Sequence, residues 1–238
     1  MKSSLLAKTK AVLEAVCQAE RPVAIKELTS VLDMPLPTIS RLCADLVEIG
    51  LLEKADYHHL IPGISFIRFG CRAREVSPLI EALKQPVSDY LNVSGLSAAV
   101  FGFDREYPFE IYLDRRETLT QDILRHTGAL MVLLNAAGVS PEKAQRLILR
   151  RYPDMSATER VICDREFHVI RRQGYLTRVL PNRRWMITMP FTYGAAVCAL
   201  AVYGTGREGS SIEAEMFEVS KVVSRIRTRV DRIGKGRD

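Results

Sequence analysis

Pro35-Leu36-Pro37-Thr38-Ile39-Ser40-Arg41-Leu42-Cys43-Ala44-Asp45-Leu46-Val47-Glu48-Ile49-Gly50 is the stretch on which the fold turns. Ile39, Leu42, Cys43, Leu46, Val47 and Ile49 recur at helical spacing and make one apolar side. Pro37 suits the first helical position, where its missing N–H would be unpaired anyway. Gly50 suits the left-handed residue that ends a helix. The spacing predicts a helix over Pro37 to Ile49. Its other side presents Leu36, Pro37, Thr38, Ser40 and Arg41, with Ala44 and Asp45 one turn further on.

Upstream, Leu28, Val31 and Leu32 mark a short helix over Lys26 to Leu32, and Asp33-Met34-Pro35 is a tight turn. Before it, Leu5, Leu6, Val12, Leu13, Val16 and Cys17 mark a first helix, ended by Glu20-Arg21-Pro22 because proline bars its continuation. Downstream, Leu51 to Lys54 and Leu60-Ile61 read as two short strands around the tip Ala55 to His59. Three helices and a hairpin in this order, with a turn of about four residues between the second and third, spell a winged helix-turn-helix. The expected boundaries are residues 1–62 for this head and 63–75 for a linking helix. Residues 76–238 form the remainder.

In a helix-turn-helix the third helix enters the major groove, and its exposed N-terminal residues reach base edges. Arg41 can donate two bonds to a guanine edge or clamp a phosphate. Thr38 and Ser40 can hydrogen-bond a base or phosphate, and Leu36 and Pro37 offer apolar contact. Outside such a motif, Arg41 reads as a solvated surface charge. At the hairpin tip Tyr57, His58 and His59 can reach phosphate, although two polar strand positions describe the histidines equally well. Lys2, Lys8 and Lys10 on the arm are phosphate contacts through charge alone.

The remainder alternates between helical and strand patterns. A long amphipathic helix runs from Val76 to Leu91 and ends near Gly95. Leu96 to Asp104 and Phe109 to Arg115 read as strands. Ala129 to Ala137, Pro141 to about Tyr152 (capped by Ser140) and Ala157 to Gln173 read as helices. Tyr175 to Leu180, Trp185 to Phe191 and Ala195 to Tyr203 are strands, and Ser211 to Ile233 is a last helix. The fold class expected is α+β, with a mostly antiparallel sheet flanked by helices.

The chain has 238 residues, 47% hydrophobic and 26% charged, which excludes a disordered or collagen-like protein. Its net charge is +6, from 34 Lys and Arg against 28 Asp and Glu. Residues 1–70 hold eight of each sign, so the head is neutral and the remainder carries the whole excess. DNA-binding heads usually carry positive excess, so Glu14, Glu20, Glu27, Glu48 and Glu53 are required to face away from DNA. The basic run from Lys221 to Arg237 reads as the solvated face of the last helix. The five cysteines (17, 43, 71, 163 and 198) are scattered, with no CxxC pair and four of them in apolar stretches, so reduced core thiols are expected. Met1 to Lys8 meets charge too soon for a signal peptide, and Thr192 to Tyr203 is too short for a membrane span. A cytoplasmic protein with no membrane partner is expected.

No GxSxG, HExxH or P-loop is present, and no catalytic residue, cofactor or metal is expected. Cys163 and His168 stand five apart, too far for an i, i+4 ligand pair. A zinc site built from them and Asp164 would need a distant ligand, and a satisfied structural histidine is the preferred reading.

The head resembles the N-terminal domain of the IclR family of bacterial transcription regulators, through Leu28, Pro35 to Leu42, Leu46 and Ile49 to Glu53. The family's run there reads like P-K-S-T-V-x-R-L-L, and Leu36-Pro37 replaces its Lys-Ser. Collinear matches follow in Tyr112 to Arg115, His126-Thr127 with Leu133-Leu134, Arg171 to Tyr175, and Pro190. The resemblance implies a C-terminal effector-binding domain of the GAF or profilin kind. It also implies homodimers or dimers of dimers on palindromic double-stranded operator DNA, and control by a small molecule such as an organic acid. By position it makes His126, Thr127, Trp185, Met186 and Thr188 pocket candidates; for the last three, core packing is at least as good a reading. Leu130-Met131, Thr177 to Leu180 and Trp185-Met186 depart from the family pattern, so the pocket lining is altered. Arg183-Arg184 could receive a carboxylate or simply be solvated.

Two other classes of function fit parts of the sequence. The neutral head and apolar Leu36-Pro37 suit a winged helix that packs on protein without DNA. More remotely, the C-terminal domain could turn over a small acid or nucleotide.

Overall fold

The computed structural model describes residues 4–19, 21–104, 107–114, 123–126, 128–180, 184–205 and 211–235, and every element below lies within them. The chain divides into two compact units, residues 1–76 and 77–238.

The first unit contains α1 (Leu5–Gln18), β1 (Val23–Ala24), α2 (Ile25–Leu32), α3 (Leu36–Glu48), β2 (Leu52–Lys54), β3 (His59–Pro62) and α4 (Ile64–Val76). Ser4 Oγ accepts the Ala7 N–H at 3.2 Å and starts α1. Glu27 reaches back to the Ala24 N–H at 3.2 Å and starts α2. Asp33 then takes the left-handed conformation, φ 48°, which short polar side chains tolerate. One correction concerns α3, which starts one residue earlier than expected, with Pro37 in its second position. The Pro35 carbonyl accepts the N–H groups of Thr38 (3.0 Å) and Ile39 (3.1 Å), so Pro37's lack of a donor costs nothing. Gly50 ends the helix at φ +72°, as expected.

The wing pairs β2 with β3 antiparallel, Leu52 opposite Pro62. The small sheet has a third strand, in the order β1-β3-β2. A two-residue strand is too short to show a period in sequence. Val12, Val16, Leu28, Ile39, Leu42, Leu46, Leu52 and Leu60 meet in one apolar centre. Each such side chain contributes about 1.5–3 kcal/mol by leaving water. The first turn of α4 is held by the wing: Glu53 Oε1 accepts the Ile64 N–H at 2.8 Å.

The second unit contains α5 (Pro78–Ser94), β4 (Ser97–Asp104), β5 (Tyr107–Asp114), α6 (Ile123–His126), α7 (Ala129–Ala136), α8 (Pro141–Arg151), α9 (Ala157–Gln173), β6 (Leu176–Leu180), β7 (Arg184–Tyr193), β8 (Ala196–Thr205) and α10 (Ile212–Lys235). The sheet runs β5-β4-β8-β7-β6, and every pairing is antiparallel. One face, with Phe101, Met186, Ala201 and Tyr203, packs with residues of α7, α8 and α9. The other, with Val100, Ile187, Phe191 and Val202, packs with residues of α5 and α10. Burial on both sides explains why β8 reads as a nearly unbroken apolar run.

The cysteines correct an expectation. Cys43 and Cys198 are buried, but Cys17 and Cys71 are exposed and Cys163 is half-buried. Burial pushes the thiols of Cys43, Cys163 and Cys198 up to about 11, so they stay protonated at neutral pH.

Candidate nucleic-acid interface and ligand cavity

Helix α3 sorts its residues by side. Ile39, Leu42, Cys43 and Leu46 are buried. Leu36, Pro37, Arg41, Ala44 and Asp45 are exposed, and Thr38 and Ser40 are half-exposed. The Arg41 guanidinium makes no hydrogen bond or ion pair among the described residues, so its donors are available to a base edge or phosphate. Asp45, one turn on, places a negative charge on the same side. The exposed side of the helix is therefore short and mixed in character rather than a long cationic stripe.

The wing tip is organised by Asp56, which sequence reading had passed over. Its carboxylate accepts the N–H groups of His58 (2.8 Å) and His59 (2.9 Å) and lies 2.8 Å from His59 Nδ1. Those bonds, the His58 N–H first, hold the Asp56 carboxyl below its ordinary range. His59 is thus turned back into the wing by one ring nitrogen. Tyr57 is 86% exposed, and its ring meets that of His58 edge-on at 4.8 Å. An Asp two residues before a turn amide is the sequence signal that could have found this.

The acidic residues of the head are largely occupied. Glu14 lies 3.1 Å from Lys10, and Glu27 lies 2.8 Å from Arg21. Glu53 holds the start of α4, and Glu48 is exposed at the far end of α3. Lys8 is half-buried on α1. Lys2 and Glu20 lie outside the described residues.

In the second unit a cavity of about 830 Å³ opens between α6–α9 and the β6–β7 side of the sheet. That volume is typical of small-molecule sites. Met186 lines it, opposite Arg178 on the neighbouring strand. Trp185, expected in the same pocket, belongs to the other face of the sheet, because successive strand residues point opposite ways. Thr188 shares the face of Met186 but is wholly buried between Leu176 and Ala201. His126 closes α6, with its side chain outside what the structure describes, and Thr127 and Arg183 lie outside the described residues.

Residues that sequence reading missed build most of the wall. Gly128 lies at φ +64°, and a Cβ there would come within 2.4 Å of Leu176 Cδ2. Only glycine combines that backbone with that approach. It brings the start of α7 against β6, and Met131 Sδ then lies 3.3 Å from Cys163 Sγ on α9. Arg178 Nε donates to Glu166 Oε1 at 2.6 Å. Arg125 Nη1 donates to Asp154 Oδ2 at 2.9 Å and Nη2 to Glu159 Oε1 at 2.6 Å. The Asp154 and Glu159 carboxylates raise the Arg125 guanidinium further above its ordinary range, Asp154 first. The Glu159 carboxyl is lowered, chiefly by the Ser156 N–H it accepts.

His168, expected as a satisfied structural histidine, is exposed on α9. Among the described residues no group of three or more His, Cys, Asp and Glu side chains is placed to hold a metal. No helix among them is long and apolar enough to cross a membrane.

A three-helix head with a wing and an outward third helix is the architecture of a helix-turn-helix DNA-binding protein. The family model described as the IclR helix-turn-helix domain matches residues 5–56. Residues 5–56 are thus a helix-turn-helix domain of the IclR kind, a DNA-binding fold. Over both units the fold is similar to solved structures of IclR regulators. An IclR family transcriptional regulator from Brucella abortus shares 18% identity at TM-score 0.66, covering 94% of this chain and 90% of that one. A putative IclR transcriptional regulator from a Silicibacter species shares 18% identity at TM-score 0.63, covering 97% and 96%. An IclR homologue from Microbacterium hydrocarbonoxydans, solved with 4-hydroxybenzoate, shares 14% identity at TM-score 0.55, covering 96% and 100%. No curated protein sequence matches the chain.

Proposed function

We propose that this regulator reads operator DNA with the outer side of α3 and is controlled by a small molecule held in the cavity of its second unit. Leu36, Pro37, Thr38, Ser40, Arg41 and Ala44 meet the major groove. Tyr57 and His58 reach the flanking backbone, with His59 and Asp56 fixing the wing that carries them. Lys8 on α1 and Lys2 ahead of it in the sequence add phosphate contacts through charge. The observation that carries this reading is the Arg41 guanidinium, exposed and without a partner among the described residues on a helix whose opposite side is buried.

The protein acts as a homodimer or a dimer of dimers, so that two heads take half-sites one helical turn apart or multiples of it, about 34–36 Å per turn. The effector binds one arrangement of the heads better than another and shifts DNA affinity by that difference, about 1–3 kcal/mol. The second unit binds its ligand rather than turning it over, and the protein resides in the cytoplasm with the chromosome. Immunoprecipitation from cells with sequencing of the recovered DNA supplies the operator. Gel shift on that duplex then tests the assignment: Arg41→Ala is expected to weaken binding, and unchanged affinity would remove Arg41 from the contact residues.

A further inference from the structure

Among the described residues, the two guanidiniums in the wall of the second-unit cavity, Arg125 and Arg178, are already answered by the chain's own carboxylates. Arg178 and Glu166 form a two-pronged pair whose side chains are only 21% and 19% exposed. Arg125 holds Asp154 and Glu159 at once, and its guanidinium carbon lies 5.2 Å from the centre of the Tyr152 ring. Parallel N–H···O bonds are what a guanidinium offers to an incoming carboxylate. Here those positions are filled from within. The rest of the described wall is largely apolar and compliant: Met131, Met155 and Met186 line it together with Leu130 and Ile148, beside Thr177 and Cys163. Methionine surfaces adapt to apolar shapes of different outline.

An acid entering this cavity would have to displace a carboxylate of the wall. At Arg178 that would leave Glu166 without its cation in a half-buried place, next to a second negative charge; at Arg125 it would set a third carboxylate against the exposed Asp154 and Glu159. Both consequences are unfavourable. A neutral molecule meets neither.

We infer, resting on the effector reading of this cavity, that its ligand is an uncharged, predominantly apolar small molecule, and that the Arg178–Glu166 pair excludes carboxylates. Calorimetric titration of the full chain with matched pairs tests this: 2-naphthylmethanol against 2-naphthoate, and 4-hydroxybenzyl alcohol against 4-hydroxybenzoate. The wild-type protein is expected to bind each alcohol at least ten-fold more tightly than its acid. Glu166→Gln removes the carboxylate that faces Arg178 in the cavity wall, and this variant should bind the acids at least ten-fold more tightly than wild type does. Arg178→Gln provides the mirror test if the first variant folds poorly. It leaves Glu166 free and should gain at least ten-fold affinity for 2-naphthylmethylamine. The inference is overturned if wild type binds an acid as tightly as its alcohol, or if the folded variant gains nothing for its complementary charge. Absence of binding by every probe to wild type and both variants would instead overturn the effector reading itself.

Discussion

The head and the second unit use the same side chain in opposite ways. In the head, Arg41 stands on the outer side of α3 with no anion supplied by the described residues. In the second unit, Arg125 and Arg178 are each met by carboxylates of neighbouring elements. The difference follows from burial. A guanidinium in water loses little by waiting for a partner, whereas one in a half-closed cavity is costly unless its partner is built in. The head therefore leaves this guanidinium open to water. The cavity answers its guanidiniums from within and leaves a largely apolar lining around them. Their interiors differ as well: one small centre under three helices and a wing, against a sheet covered on both faces.

The largest test of that contrast is Leu28→Ala. Leu28 is fully buried in the single centre of the head, and such truncations cost about 2–5 kcal/mol. The head is expected to lose its cooperative melting and its DNA binding, while the second unit keeps its own calorimetric transition. Loss of both transitions together would show that the two units do not fold separately. Next comes Arg178→Ala, which strands the Glu166 carboxylate. It should cost the second unit about 2–3 kcal/mol, somewhat less than for a fully buried pair, read as a lower Tm with unchanged melting of the head.

Arg41→Ala should do the reverse. Specific DNA binding weakens by about 1–3 kcal/mol, roughly 5- to 150-fold, while melting temperatures stay within the small scatter of surface substitutions. A falling Tm in this variant would mean that Arg41 has a partner inside the protein. Smaller again is Ser156→Ala. Ser156 Oγ accepts the Glu159 N–H at 3.2 Å, and losing such a cap costs about 1 kcal/mol. The effect should appear in the second unit alone. The smallest expected effect is on pH. The Asp56 carboxyl is lowered by the bonds it accepts in the wing, so its contribution is present above the unfolded carboxyl value of about 3.9. It is lost as pH falls below that value through the folded one. Amide NMR signals of His58 and His59 should shift together below about pH 4 while those of α1 to α3 hold. Movement at neutral pH would assign the wing to a histidine instead.

Much of the architecture was legible because it is written locally. The helices of the head, Gly50 and the Ser140 cap announce themselves within a few residues. Strand β1 was not legible, since two residues carry no period, and neither was α6, which has four. The cavity was half legible. Its region followed from position along the chain, and Met186 lies in it, but adjacent Trp185 falls on the far face. Arg178 stood out in sequence only as a departure from the family pattern. Its partner Glu166 lies twelve residues away on a different element, and nothing local connects them.

The order of the longer elements, the inner side of α3 apart from Ile49, which is exposed, and the left-handed glycine that ends it follow from the amino-acid sequence by itself. Backbone preferences and apolar periodicity act over a single turn or a single strand. Only the tertiary structure decided which charges are spent within the protein and which remain for a partner. Whether a guanidinium meets a carboxylate depends on residues that chain folding brings together from separate elements, and on how far that place is withdrawn from water.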